Sequence, residues 1–272
     1  MAKSNLYQIY YNEETRASLD SGFIPLDNTT NLRPDWGEFF VIRHFLRNNP
    51  LNEDEKYGFL SPKFQQKTGL SSSQVHEFIE STSENIDVVI FSPFWEMISF
   101  FKNVFEQGNF WHPGLINISQ NFFLEAGRYH EVDNLLMHRK NTVFCNYFAA
   151  SPAFWRSWLK IGDLLFDYSE DKNHPLNLLL NQRTYHDNHD GYSLKIFLQE
   201  RLASYLLTTE HWNTENYPIF QMKSSTDNLK YFSRPLIYLD SLKEKYSITQ
   251  NQNFIHEYFQ LRGELAAHGV VA

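Results

Sequence analysis

The stretch VFCNYFAASPAFWRSWL, residues 143–159, decides the fold class that we predict for this chain. Its apolar and aromatic first half indicates a buried strand over Val143–Ala150, which Ser151-Pro152 ends. A helix is predicted to follow from Pro152 to Phe166, because proline is tolerated in the first turn of a helix. A strand that leads through a short turn into a helix is the repeating unit of α/β proteins.

The same arrangement of a strand that ends in Ser-Pro occurs twice more. Ile86–Phe91 is an apolar strand before Ser92-Pro93, and Tyr57–Leu60 is a shorter one before Ser61-Pro62. Two further strands are predicted from their aromatic and β-branched content, Asn5–Tyr11 and Ile219–Lys223. Segments with helical periodicity are predicted over Pro34–Arg47, Ser72–Ser81, Phe94–Gln107, Leu115–Ala126, Tyr192–Thr208, Asn228–Tyr246 and Asn253–Leu265.

Strands that alternate with helices predict an α/β fold, with a mostly parallel sheet flanked by helices. We expect one domain over residues 1–272 with a helical carboxyl-terminal part, because no repeat or obvious linker interrupts the pattern. Ligands of such sheets bind at the carboxyl ends of the strands. Three segments are therefore expected to border one cleft: Ser61–Phe64, Ser92–Glu96 and Asn146–Ser151.

Composition and charge exclude several classes of protein. The net charge is −8 and there is no run rich in lysine or arginine, which argues against a nucleic-acid partner. The single cysteine, Cys145, leaves neither an internal disulfide nor a zinc site built from cysteines. The absence of glycine-rich phosphate loops and of a Gly-x-Ser-x-Gly elbow excludes kinases, dehydrogenases and α/β-hydrolases.

The chain carries no secretory signal and no apolar run of about 20 residues that could span a membrane. We therefore expect a cytoplasmic protein. Peripheral association with the inner face of the membrane is compatible with this expectation.

The segment GYSLKIFLQERLASYLL, residues 191–207, places two charges on apolar helix faces. Arg201 lies within the main apolar stripe, which includes Leu198, and Glu200 lies with Ile196 on the opposite and also apolar side. Burial raises the pKa of a carboxyl group, and this suits a general base. A structural ion pair with another element is the alternative interpretation.

The sequence FCNYFAASPAFWRSW (144–158), followed after a polar loop by ERLASYLL (200–207), resembles the second half of bacterial GT-A-type glycosyltransferases of capsule and lipopolysaccharide loci. The resemblance implies that Asn146 and Trp155 line the acceptor side. It also implies that Glu200 is the catalytic base or orients the acceptor. Two further tryptophans, Trp95 and Trp111, are expected to help to shape the sugar and acceptor pocket.

The sequence NLRPDWGEFFVIRHFL (31–46), followed by YGFLSPKF (57–64), is similar to the nucleotide-binding first half of such enzymes. The resemblance implies a GT-A-like, Rossmann-like fold with a donor-binding half of about 1–110, an acceptor half of about 111–220 and a helical part of about 221–272. The donor-binding residues that it implies are Asn31, Arg33 and Asp35 at the base and ribose, and Ser61 and Lys63 at the phosphates, with Ser92 and Arg201 beside them.

Metal-dependent members of this family carry Asp-x-Asp after the central strand, whereas this chain has Phe91-Ser92-Pro93 there. We therefore assign no metal ligand. Lys63, Arg33 or Arg201 is expected to neutralise the leaving phosphate instead. A divalent cation held elsewhere, Mn²⁺ or Mg²⁺, is the alternative.

The loop YHDNHDGY, residues 185–192, concentrates histidine and aspartate in His186, Asp187, His189 and Asp190. These side chains could bind a transition metal, or contact sugar hydroxyls, or in the case of Asp190 only cap the following helix. Because the loop leads into the helix of Glu200, we assign His189 and Asp190 to the acceptor.

Two isolated residues complete the candidates. His112, in the turn NFWHPGL, is assigned to the acceptor at the cleft edge, and an ordinary core or surface histidine is the alternative. Cys145 is not expected to act as a nucleophile, because no cation lies beside it in the sequence and its strand position favours burial.

The sequence thus predicts an enzyme that moves a hexosyl group from a nucleotide sugar, UDP-linked, to a glycan or lipid-linked glycan acceptor. Two other functions stay open from the sequence. One is a metal-dependent hydrolase or phosphotransferase built on His186–Asp190, and the other is a non-catalytic protein that binds a nucleotide sugar or a glycan.

Overall fold

The computed structural model describes residues 3–184, 191–224 and 227–270 of the chain. Six strands form one sheet in the order β2-β1-β3-β5-β4-β8, and two short strands, β6 and β7, pair with each other. The strands of the described residues are β1 Lys3–Tyr10, β2 Ile24–Asp27, β3 Glu55–Leu60, β4 Val88–Ile90, β5 Phe148–Ala150, β6 Arg183–Thr184, β7 Tyr192–Ser193 and β8 Thr214–Asn216.

Helices connect and cover the strands. The α-helices of the described residues are α1 Glu13–Ala17, α2 Glu38–Asn48, α3 Phe64–Thr68, α4 Ser72–Ser81, α5 Trp95–Phe100, α6 Val104–Trp111, α7 Leu115–Glu125, α8 Pro152–Glu170, α9 Asn177–Leu180, α10 Leu194–Gln199, α11 Leu202–Thr209, α12 Ser233–Thr249 and α13 Gln252–Ala267. None of these helices is both long and apolar enough to cross a bilayer.

The predicted α/β fold with a mostly parallel sheet is confirmed. The pairs β1–β2, β1–β3 and β4–β8 are parallel, whereas β5 runs antiparallel to both of its neighbours, β3 and β4. Successive residues of a strand point to opposite faces of a sheet. Val88 and Ile90 accordingly belong to one apolar cluster and Val89 to another, so the sheet is covered on both faces.

The predicted strand Ile219–Lys223 is wrong, because a 3₁₀ turn occupies Ile219–Gln221. Within the six-stranded sheet two strands were not predicted, β2 and β8, and both lie at its edges. An edge strand tolerates proline and polar residues, since one of its sides has no partner to bond. The sequences IPLD in β2 and TEN in β8 accordingly lack the apolar pattern by which a central strand is recognised.

Three predicted elements are shorter or interrupted. The strand predicted over Val143–Ala150 is confined to β5, because Cys145 and Asn146 adopt left-handed backbone conformations that no strand can contain. The helix predicted over Phe94–Gln107 is divided into α5 and α6, and Asn103 caps α6 through its side chain. The helix predicted over Tyr192–Thr208 is likewise divided into α10 and α11.

Candidate functional site

A cavity of about 690 Å³ lies at the carboxyl edge of the sheet. Tyr11 follows β1, Asn28 follows β2, and Ser61 follows β3, and all three side chains line it. Parallel strands end at the same edge of a sheet, where loops rather than regular structure carry the side chains. The topology therefore gathers residues that are far apart in the sequence.

The antiparallel strand β5 brings its amino end to the same edge, and Cys145 and Asn146 precede it there. Both have positive φ angles, 59° and 55°, in the left-handed region that residues other than glycine rarely adopt. Of the five such non-glycine residues in the described part of the chain, three line the cavity: Asn31, Cys145 and Asn146. Backbone strain of this kind is concentrated at functional sites.

The Asn146 side chain combines burial with unused hydrogen-bonding capacity. The residue is only 4% exposed, and its amide nitrogen donates a long hydrogen bond of 3.5 Å to Oε1 of Gln199. Its Oδ1 atom accepts no hydrogen bond from the described residues. A buried amide oxygen without a donor is unfavourable, and a ligand hydroxyl in the cavity would satisfy the carboxamide.

Glu38 contributes the first carboxylate of the cavity. Gly37, with a φ of 53°, turns the chain so that Glu38 begins α2, and its Oε1 accepts a hydrogen bond from the phenol of Tyr11. Loss of water around Glu38 raises the pKa of its carboxyl group, and the nearby charge of Glu200 raises this pKa further. The hydrogen bond from Tyr11 and the charge of Lys67 oppose the increase without cancelling it.

Glu200 contributes the second carboxylate, from the end of α10. Ile196, Gln199 and Glu200 lie three and four residues apart, on the face of α10 that borders the cavity. The Glu200 side chain is 43% exposed, and Nη1 of Arg201 lies 3.9 Å from its Oε2. Its recessed position still removes enough water to raise the pKa of the carboxyl group above the ordinary value. The predicted direction of this pKa is thus confirmed.

Lys67 provides a cation in the same cavity. Its Nζ atom lies 3.2 Å from the sulfur of Cys145. Burial lowers the pKa of Lys67, but Cys145 and the carboxylates of Glu38 and Glu200 outweigh this effect, so the net shift is upward. The thiol itself is neutral at neutral pH, because burial raises the pKa of Cys145 to about 11.

The cavity brings together part of the predicted site and adds residues to it. The predicted residues that line the cavity are Asn31, Ser61, Lys63, Asn146 and Glu200. The polar and charged residues that were not predicted include Tyr11, Asn28, Glu38, Lys67 and Gln199. Asn28 follows a strand that the sequence did not reveal, and Glu38 resembles any acidic residue in a first helical turn. No pattern in the sequence distinguishes them.

The predicted donor residues Arg33 and Asp35 do not line the cavity, and this corrects their expected placement. Two nitrogens of Arg33 donate hydrogen bonds of 2.8 Å to the two oxygens of Asp35, and Nζ of Lys195 lies 2.9 Å from Oδ2. Hydrogen bonds from Arg33 and then Lys195 hold the pKa of Asp35 at about 2. With Glu170, these groups form an ion-pair network that fixes the loop before α2.

Arg201 and Ser92 also lie outside the cavity lining, and each bonds to the backbone. The Arg201 guanidinium donates to the carbonyl oxygens of Val104 and Phe197. The Ser92 hydroxyl accepts a hydrogen bond of 2.7 Å from the backbone N–H of Phe144. Their expected placement at the cavity is therefore corrected, because these groups bond to α6, α10 and the segment before β5, and their role at the donor phosphates stays a prediction.

Two predicted acceptor residues are part of the interior. Trp155 is 1% exposed, and its indole N–H donates to the carbonyl oxygen of Tyr57 at 2.9 Å. His112 is buried, and its ring stacks on Phe197 with 3.5 Å between centroids. Neither lines the cavity, which corrects the expected acceptor contacts. The other two acceptor residues, His189 and Asp190, lie outside the described residues.

The described residues of the cavity do not supply the ligand set of a divalent metal ion. Within residues 3–184, 191–224 and 227–270, no group of three or more histidine, cysteine, aspartate or glutamate side chains is placed to hold one. Mn²⁺ and Mg²⁺ prefer several oxygen ligands. The described lining of the cavity presents two carboxylates, and the Lys67 ammonium already lies close enough to interact with both.

The arrangement offers carboxylates with raised pKa values, two lysines and the unsatisfied amide oxygen of Asn146 in one concave site. Such a site can accept a proton, compensate anionic charge and hydrogen-bond a polyhydroxylated ligand. Comparisons of this chain with protein families, with curated proteins and with solved structures gave no significant match.

Proposed function

We propose that the protein is a glycosyltransferase of GT-A-like fold that transfers a hexosyl group from a nucleotide sugar, UDP-linked, to a growing bacterial surface glycan. The observation that carries the proposal is the meeting of Glu38, Glu200, Lys63 and Lys67 in one cavity at the carboxyl edge of the sheet. A nucleotide-sugar donor requires cationic groups for its diphosphate, and the attack on its sugar benefits from a carboxylate.

The reaction assigns a defined task to Glu200. An acceptor hydroxyl oxygen forms a bond to the anomeric carbon, while the bond from that carbon to the phosphate oxygen breaks. The leaving nucleoside diphosphate keeps the bonding electron pair. In an inverting reaction, Glu200 takes the proton of the acceptor hydroxyl, and its raised pKa supports this role. In a retaining reaction, Glu200 orients the sugar instead.

The neutral polar groups of the cavity are suited to the sugar and the acceptor. Asn146 offers a buried carboxamide with free hydrogen-bonding capacity, and Asn28 and Asn31 offer two more amides. Sugar hydroxyls both donate and accept hydrogen bonds, and a carboxamide can match both. The acceptor that we propose is a glycan or lipid-linked glycan.

A binding panel followed by a transfer assay tests the proposal. Thermal denaturation with UDP-, GDP-, CMP- and dTDP-sugars, with and without Mn²⁺, identifies the donor by the increase in melting temperature. The Glu200→Gln variant is then compared with Glu53→Gln, which changes an exposed carboxylate outside the cavity. We expect Glu200→Gln to lose about 10²- to 10⁴-fold in transfer rate and the control to lose none.

Three results would contradict the proposal in different ways. Normal transfer by Glu200→Gln would remove Glu200 from the role of base. Binding of a nucleotide sugar without any turnover would support a non-catalytic binding protein instead. The absence of a shift with every nucleotide sugar would oppose both functions.

A further inference from the structure

The Lys67 ammonium lies in a cavity whose described lining includes two carboxylates, Glu38 and Glu200, but neither is at contact distance. Among the residues that the structure describes, no aspartate or glutamate oxygen lies within 4.0 Å of its Nζ atom. The contacts it does make are with the Cys145 sulfur at 3.2 Å and with the rings of Phe94 and Tyr147, whose centroids lie 5.8 and 5.9 Å away.

These contacts do not neutralise the charge of Lys67. The Cys145 thiol keeps its proton at neutral pH, because burial raises its pKa to about 11. Aromatic faces attract a cation but carry no net charge. The Lys67 ammonium stays protonated, because its own pKa is raised. A half-buried cation whose contacts with the described part of the chain are all neutral favours an anionic ligand.

Lys63 lies on the same side of the chain as Lys67. The two residues are four apart, and the N–H of Lys67 donates to the carbonyl oxygen of Lys63 at 2.9 Å, which closes one helical turn. Side chains four residues apart on a helix are neighbours. Both lysines line the cavity, and Lys63 also lines an adjoining cavity of about 340 Å³.

We propose that Lys67 and Lys63 form an anion subsite for the diphosphate of the donor, in which Lys67 supplies the positive charge that a divalent cation would otherwise supply. This inference rests on the proposed function for the identity of the ligand. When the bond between the anomeric carbon and the phosphate oxygen breaks, negative charge develops on that oxygen. An N–H of Lys67 donates a hydrogen bond to it and no proton is transferred, which stabilises the leaving group electrostatically.

The first experiment measures binding of inorganic pyrophosphate and of UDP by calorimetry, in the presence of EDTA. We expect Lys67→Met to weaken both affinities about ten-fold or more, since it removes a charge-assisted hydrogen bond. Lys67→Arg keeps the charge and is expected to retain most of the affinity. The control, Lys160→Met, removes an exposed lysine of α8 and is expected to bind normally.

The second experiment uses the unaltered chain, so it does not depend on the folding of a variant. Lysines are reductively methylated with formaldehyde, with and without pyrophosphate, and the sites are read by mass spectrometry. We expect pyrophosphate to protect Lys67 and Lys63 and to leave Lys160 unprotected. Equal methylation with and without pyrophosphate would overturn the subsite.

Failure of the subsite and failure of the proposed function give different results. The subsite would be disproved if Lys67→Met bound pyrophosphate as tightly as the unaltered protein, or if binding required Mn²⁺. Transfer activity measured alongside either result would still support the proposed transferase function. Pyrophosphate binding that depends on Lys67, without transfer from any nucleotide sugar, would retain the subsite and remove the proposed function.

Discussion

Glu38 begins α2 and Glu200 follows α10, yet the charge of Glu200 is close enough to raise the pKa of Glu38. The effect falls on Glu38, because Glu38 is not among the groups that shift the pKa of Glu200. For both residues loss of water is the larger cause of the increase. The pair is therefore the part of the cavity most sensitive to pH.

Sugar transfer is expected to lose activity on the acid side with a midpoint pH above the ordinary pKa range of carboxyl groups. A base with a raised pKa loses activity at a higher pH than an exposed glutamate would, because it is protonated earlier as the pH falls. Glu38→Gln is expected to leave the midpoint in place, because loss of water, and not the charge of Glu38, raises the pKa of Glu200. The measurement is kcat/KM as a function of pH for both proteins. A midpoint that Glu38→Gln moves to lower pH would contradict this cause of the raised pKa of Glu200.

Glu200→Gln is expected to keep or increase the thermal stability of the protein at neutral pH. Because the folded-state pKa of Glu200 is raised, its carboxyl group contributes stability that is present below the unfolded value and is lost as the pH rises through the folded value. At neutral pH the charged form is therefore unfavourable, and glutamine removes it. Thermal denaturation is the measurement, and a clear decrease in melting temperature would contradict the assignment.

Trp155 is expected to stabilise the fold rather than to bind the acceptor. Its indole is buried and donates to the Tyr57 carbonyl, so Trp155→Ala should lower the free energy of unfolding by about 3–5 kcal/mol. Trp155→Phe keeps much of the packing but leaves that carbonyl without its donor, with an expected cost of about 1–3 kcal/mol. Urea denaturation measures both. A weakened acceptor affinity with unchanged stability would instead support the acceptor role.

Gly108 on α6 is expected to be intolerant of a side chain. A Cβ atom there would lie 2.3 Å from Nη2 of Arg201 and 2.4 Å from Cδ2 of Leu115, both of which are packed in the interior. Overpacking of this kind costs about 1–3 kcal/mol, so Gly108→Ala should destabilise the protein. Gly263→Ala, on α13 with no atom within 4 Å, is the matched control. It should stabilise by about 0.5–1 kcal/mol, and equal effects of the two changes would contradict the packing.

The strand and helix periodicities predicted the central part of the fold and failed where the backbone departs from regular geometry. Helix α4 has the bounds that the sequence predicts, because Ser71 caps it and its apolar spacing is regular. The segment before β5 could not be predicted, since the residue types of Cys145 and Asn146 do not indicate that both adopt a left-handed backbone conformation. Local periodicity also does not predict that β5 runs antiparallel to its neighbours, because strand direction depends on which strands pair.

The candidate site was predictable where a charged residue lies on an otherwise apolar helix face. Glu200 stood out because a charge on an apolar helix face requires an explanation, and the structure places it at the cavity. Arg201 stood out for the same reason, but backbone carbonyls satisfy it, and a sequence does not show such partners. Glu38 and Lys67 occupy ordinary helical positions, so only the topology reveals that they face Glu200.

The position of β5 has a consequence for how the chain reaches its final form. It lies between β3 and β4, although both precede it in the sequence. Until residues 148–150 have left the ribosome, the inner edges of β3 and β4 are unpaired, and exposed strand edges promote misassembly. Cys145 and Asn146 directly precede β5, so the ligand site is completed only after β5 has paired with β3 and β4. We therefore expect slow folding, limited by a long-range insertion that no bound ligand can accelerate.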